Sequence, residues 1–112
     1  MNDKLVVVWT SGDKEVAENM VFMYTLNAKK KEWFKDVTFI VWGPSTKLLA
    51  EDEELQKSLK EMTDEGITIE ACLRCAENYK VVPELEKMGV DVKLMGNILS
   101  TYLKEDRKVI TF

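Results

Sequence analysis

Histidine is absent from this chain, and in 112 residues there are only two cysteines, two prolines and five glycines. Covalent chemistry, if the chain performs any, therefore centres on Cys72 and Cys75. Two thiols and no imidazole fall short of the four ligands of a structural zinc site, which only a symmetric pairing of subunits could complete, so no metal or other cofactor is expected. Basic runs are scarce too. The net charge is -4, and Lys29-Lys30-Lys31 is followed at once by Glu32, which reads as a solvated helix end. Nothing here forms a stripe that could release counterions from nucleic-acid phosphates, so no nucleic-acid partner is expected. No apolar stretch approaches the ~20 residues that cross a bilayer. Met1 to Lys4 leads directly into an apolar strand too short for a signal-peptide core. The expected location is the cytoplasm, away from membranes. There a CxxC is redox-active, metal-binding or catalytic rather than a structural disulfide.

What is present is an ordinary globular balance, 46% hydrophobic and 32% charged, in one domain spanning residues 1–112. Leu5 to Trp9 is a continuous apolar run of the kind found in parallel strands covered on both faces. Thr10-Ser11-Gly12-Asp13 makes a turn in which Ser11 or Asp13 can cap a helix over Lys14 to Lys31. Val16, Ala17, Met20, Val21 and Tyr24 are expected on its core side. Phe22, Met23 and Leu26 fall partly outside that stripe, a surplus that suggests a partner subunit. Trp33-Phe34 belong either to the same surface or to the core. A second strand, Val37 to Trp42, stops at Gly43-Pro44, and Ser45 to Asp64 reads as helical with a break near Glu51-Asp52. Glu51 to Glu54 then sits in a helical first turn, where carboxylates suit the dipole.

Gly66 to Cys75 organises the remainder. Alternation of Ile67, Ile69 and Ala71 predicts a strand that runs into a helix carrying Cys72 and Cys75. A sulfur at a helix N-terminus meets unpaired N–H groups that favour the thiolate. Glu70 shares a strand face with Cys72, either as a general base or as a residue on an exposed face, and exposure is the expectation. Arg74 could add positive potential. Pro83 opens a short helix closed by Gly89; Val90, Val92 and Leu94 alternate as a fourth strand; Ile98 to Lys104 is helical; Val109 to Phe112 is a fifth strand. This order predicts a three-layer α/β/α domain on a mainly parallel five-stranded sheet. Sites in such sheets gather at the carboxyl ends of the strands. Ser11, Gly12, Gly43, Pro44, Gly96 and Asn97 stand there beside Cys72, as turn residues or as pocket lining. A phosphate site at Ser11-Gly12 has no supporting Gly-rich motif. Trp9 and Trp42 end successive strands and read as core or interface.

The cysteine after the third strand, the Gly-bearing ends of strands one, two and four, and the terminal Val109-Ile110-Thr111-Phe112 together resemble the DsrE/DsrF-like family from Lys4 to Phe112. The motif Ala71-Cys72-Leu73-Arg74-Cys75-Ala76-Glu77 is the most specific part of the likeness. The resemblance implies a cytoplasmic homo-oligomer, trimeric or hexameric, that carries sulfur as a persulfide on Cys72 between donor and acceptor proteins. Cys75 is then either a resolving thiol or a small residue packing the helix onto the sheet. Two alternatives stay open: an oligomeric binding or scaffold protein in which the thiols are incidental, and a dithiol redox protein. A thioredoxin fold is disfavoured by the two successive βαβ units at the start of the chain.

Overall fold

A computed structural model describes residues 3–112; Met1 and Asn2 lie outside the described residues. Five strands form one sheet: β1 (Lys4–Trp9), β2 (Asp36–Val41), β3 (Thr68–Cys72), β4 (Asp91–Lys93) and β5 (Lys108–Thr111). Their order is β4-β3-β2-β1-β5, and every pairing is parallel. Leu5 to Trp9 are buried without a break, as are Val37 to Val41, because both strands lie inside the sheet with helices over each face.

The two faces are unequally covered. Leu5, Val7, Trp9, Val37, Phe39, Val41, Ile67, Ile69 and Ala71 point into the larger core. Over it pack α2 (Phe22–Lys30), α3 (Ser45–Glu51), α4 (Glu53–Asp64), α5 (Leu73–Asn78) and α6 (Val82–Lys87), through residues that include Phe22, Leu49, Leu59, Ala76 and Leu85. The other face carries Val6, Val8, Ile40 and Cys72, covered by Ile98, Leu99 and Tyr102 of α7 (Gly96–Lys104). The topology accounts for this. Strands β1 to β4 are laid down in one direction across the sheet, and the chain must then return over its other side to place β5 beside β1. Only α7 makes that return.

The first helical stretch differs from expectation in its register. It begins at α1 (Lys14–Val16), capped by Asp13, whose carboxylate accepts from the N–H groups of Glu15 and Val16. It then widens into a π-helical turn over Ala17–Val21, where the Phe22 N–H bonds to the Ala17 carbonyl, before α2 continues. One extra residue in that turn rotates the remainder of the helix. The core side becomes Ala17, Val21, Phe22, Thr25 and Ala28, while Val16 and Met20 are exposed and Tyr24 is half-buried. Met23 is 54% exposed. Trp33 and Phe34 divide between the two readings: Trp33 is exposed beside Tyr24, and Phe34 packs on the core.

The break in the second helical stretch falls at Asp52, whose side chain caps α4 by accepting from the Leu55 N–H at 3.0 Å. That bond and Lys14, 3.0 Å away, hold the Asp52 carboxyl below its usual range. The fourth strand is shorter than the alternation implied. Pairing ends at Lys93, so Leu94 turns outward, 57% exposed, and Met95 takes the buried place.

Candidate functional site at the carboxyl edge of the sheet

Because every strand is parallel, the carboxyl ends of β1, β2 and β3 meet on one edge, and hydrogen bonds between their loops fix its shape. The Ser45 hydroxyl is fully buried and donates to the Trp9 carbonyl at 2.6 Å, with the Trp42 carbonyl sharing the same proton at 3.1 Å. The Trp42 N–H donates to Trp9, and the Ser45 N–H to Thr10. The N–H groups of Thr10 and Ser11 and the Thr10 hydroxyl all donate to Phe112 O, which ties the end of β1 to the residue that follows β5.

Gly43 occupies the centre of this edge with a φ of +76°, and its N–H donates to Cys75 Sγ at 3.3 Å. A Cβ at position 43 would meet Thr10 only at ordinary contact distance, so space does not require the glycine. The left-handed backbone does. Replacing Gly43 with Ala is expected to cost about 1–2 kcal/mol of stability through backbone strain, and to change the alkylation rate of Cys75 by displacing the N–H. Urea unfolding and thiol labelling measure the two effects separately.

Cys72 is the last residue of β3 and also the N-cap of α5, with φ -70° and ψ 117°. It thus stands one position ahead of the helix that the sequence placed it on, and its side chain makes no capping hydrogen bond. The residue is 5% exposed, set among Val6, Val8, Ile40 and Met95. Cys75 is half-buried, packs on the edge of the same cluster and lies near Cys72. Both cysteines are free. Burial pushes the Cys75 thiol above its ordinary range, the Gly43 N–H opposes that shift, and the neighbouring Cys72 adds to it.

Of the other residues expected at the site, Gly43 is brought directly to the thiols. Ser11 and Gly12 sit at the end of β1, where Ser11 Oγ accepts from the Asp13 N–H and Gly12 lies against Pro44. Gly12 and Pro44 line a cleft of about 330 Å³ with Lys47, Leu48, Glu51 and Tyr79. Arg74 is exposed on α5. Gly96 and Asn97 are exposed in the first turn of α7, their carbonyls accepting from the hydroxyls of Ser100 and Thr101. Trp9 belongs to the larger core and Trp42 packs on the Cys72 cluster. A wider cleft of about 490 Å³, lined by Asp3, Lys29, Lys30, Glu32, Phe34, Lys35 and Glu65, opens at the amino edge of the sheet, away from the thiols.

Glu70 departs most from expectation. Instead of lying on an exposed face it is 3% exposed, because α7 covers the face it shares with Cys72. The Tyr102 hydroxyl donates to one carboxylate oxygen at 2.7 Å, and Lys93 Nζ sits 2.6 Å from the other. Lys93 is also paired with Asp91 and is the register partner of Cys72. Burial, then the Glu70 hydrogen bond, pushes the Tyr102 phenol up to about 12. Hydrogen bonds to Asp91 and Glu70 raise the Lys93 ammonium. Period-2 spacing in β3 already placed Glu70 beside Cys72, but no local signal joined Lys93 and Tyr102 to it, since those contacts depend on where β4 and α7 return.

These features define a three-layer, all-parallel α/β domain with a pair of free thiols at the carboxyl edge of its sheet. The chain belongs to the DsrE/DsrF-like family, whose model matches residues 3–112. It is similar to a conserved protein of unknown function, BT1422 from Bacteroides thetaiotaomicron, at 42% identity and a TM-score of 0.95 over 98% of this chain and 95% of that one. The ychN protein of E. coli shares the fold at 16% identity and a TM-score of 0.77, each chain being covered in full. MTH1491 from Methanobacterium thermoautotrophicum, another protein of unknown function, shares it at 19% identity and a TM-score of 0.72, over 97% of this chain and 98% of that one. No curated protein matches the sequence. Among the described residues no helix is long and apolar enough to cross a membrane.

Proposed function

We propose that this protein is a small thiol relay that carries sulfur as a persulfide on the Cys72–Cys75 pair, between donor and acceptor proteins, in the reducing cytoplasm. The observation that supports this reading best is the pair itself: two unlinked thiols in mutual reach, with the Gly43 N–H aimed at one sulfur. Sulfur transfer needs a thiolate and a route by which a donor can reach it. An N–H donor stabilises the anion, and the half-buried Cys75 supplies the route. Family membership agrees with this use of the site. The second reading, a binding protein with incidental thiols, draws its support from the burial of Cys72 among apolar side chains. Intact mass after exposure to glutathione persulfide separates them. The relay predicts sulfur adducts on the wild type and none on the Cys72→Ser/Cys75→Ser double variant. A wild type that takes up no sulfur sinks the relay.

The chain is further proposed to act as a homo-oligomer, assembled through the exposed apolar face of Val16, Met20, Met23 and Trp33. In solution the mass is expected to be a multiple of 12.9 kDa, a trimer or hexamer, and to fall toward the single-chain value in Met20→Lys/Met23→Lys. Light scattering reads this directly, and a wild-type monomer would count against it.

A further inference from the structure

Resting on the relay reading, we infer that Cys75, not Cys72, is the thiol that meets the sulfur donor, and that Cys72 is a sheltered second station to which sulfur then passes. The two residues sit in different surroundings. Cys72 is 5% exposed, closed in by Val6, Val8, Ile40 and Met95 beneath α7. A donor protein cannot bring its own persulfide to a sulfur so enclosed without displacing α7. Cys75 lies one helical turn further on, half-buried at the rim of that cluster, and its sulfur accepts the Gly43 N–H at 3.3 Å. Gly43 is fixed by its left-handed backbone and by Ser45 bridging the ends of β1 and β2. The donor group is therefore in place before any reaction begins.

The chemistry balances without an added oxidant or reductant. The Cys75 thiolate attacks the outer sulfur of a donor persulfide; a bond forms from Cys75 Sγ to that sulfur, and the donor's S–S bond breaks. The electron pair leaves on the donor thiolate, which takes up the proton that Cys75 released. The Cys72 thiolate then attacks the same outer sulfur, the bond to Cys75 breaks with its electron pair left on Cys75 Sγ, and that sulfur takes up the proton Cys72 released, restoring the Cys75 thiol. The sulfane sulfur has moved from the rim to the interior, where apolar side chains exclude water and bulky thiols, and the reverse exchange returns it to Cys75 for delivery to an acceptor. Because burial raises the Cys75 thiol, uptake is expected to accelerate as pH rises toward the alkaline range.

The sequence supplies a convenient assay, since Arg74 lies between the two cysteines and trypsin separates them onto different peptides. Wild type, Cys75→Ser, Cys72→Ser and Cys72→Ala are exposed briefly to glutathione persulfide, quenched by alkylation and mapped, with folding of each variant checked by circular dichroism. In the wild type the earliest adduct is expected on Cys75, and sulfur on Cys72 only later. Both Cys72 variants should still take up sulfur, with the adduct confined to Cys75, and Cys75→Ser should be slowed by about ten-fold or more. Wild-type uptake by Cys75→Ser, mapped to Cys72, overturns the assignment while leaving the relay intact. No adduct on any form, wild type included, overturns both.

Discussion

Replacing Glu70 with alanine is expected to lower the unfolding free energy by about 2–3 kcal/mol, a large effect for a polar residue. The carboxylate is almost fully enclosed and holds two partners, Tyr102 at 2.7 Å and Lys93 at 2.6 Å. Removing it strands a partly buried hydroxyl and a cation together. The loss stays below the ~3–5 kcal/mol typical of a broken buried pair, since Lys93 retains Asp91 at 2.7 Å and about a third of its side chain reaches solvent. Glu70→Gln keeps the shape and one acceptor, and should cost about 1–2 kcal/mol. The same cluster sets an alkaline limit. The fold raises the Tyr102 phenol to about 12, so the folded state holds its proton where the unfolded chain has lost it. That contribution is complete below the unfolded value of ~10 and is lost as pH rises toward the folded one. The raised Lys93 ammonium works in the same sense: its contribution is complete below ~10.4 and declines above. Thermal stability should therefore fall with increasing pH above ~10, and less steeply in Tyr102→Phe. An unchanged urea midpoint in Glu70→Ala would show that the cluster does not anchor α7.

A still larger loss, about 3–5 kcal/mol, is expected from Phe39→Ala. Phe39 is fully buried on β2, the middle strand of the sheet. Its ring centre lies 5.7 Å from Trp9 in a stacked arrangement and 5.3 Å from Phe22 edge-on, while Trp9 and Phe22 meet at 4.9 Å. Truncation leaves a void that the two remaining rings, Trp9 on β1 and Phe22 on α2, cannot close, because the backbone hydrogen bonds of the sheet hold Trp9 in place. The disturbance should reach the site. The Trp9 carbonyl accepts from Ser45 Oγ and from the Trp42 N–H, so a shift of Trp9 moves the loop that presents Gly43 to Cys75. Phe39→Leu fills most of the space and should cost less than half as much, with Cys75 labelling close to wild type. Equal midpoints for Phe39→Ala and the wild type in urea would remove the aromatic cluster as the centre of the core.

The strand–helix order, the break before α4 and the placing of the cysteines at a strand end are legible in the sequence because each depends on neighbours along the chain. Continuous apolar runs mark buried parallel strands, Asp52 is a capping residue ahead of an acidic turn, and Ile67, Ile69 and Ala71 alternate. The stripe on the first helix fails at Val16 and Met20, which are exposed, while Tyr24 packs half-buried on the core; a π-helical turn leaves no mark in a pattern counted at 3.6 residues per turn. Leu94 is misplaced by the pattern because alternation does not say where strand pairing ends.

The architecture and the residue type on which any covalent chemistry rests follow from the chain alone, because local hydrophobic period and the lack of histidine need no tertiary contact. Which thiol is enclosed and which stands at the rim, which N–H reaches a sulfur, and the burial of Glu70 with Lys93 and Tyr102 all arise from packing. The reason is separation along the chain. Gly43 and Cys75 are 32 residues apart, as are Glu70 and Tyr102, and they meet only because parallel strands bring distant loops to one edge and α7 returns across one face.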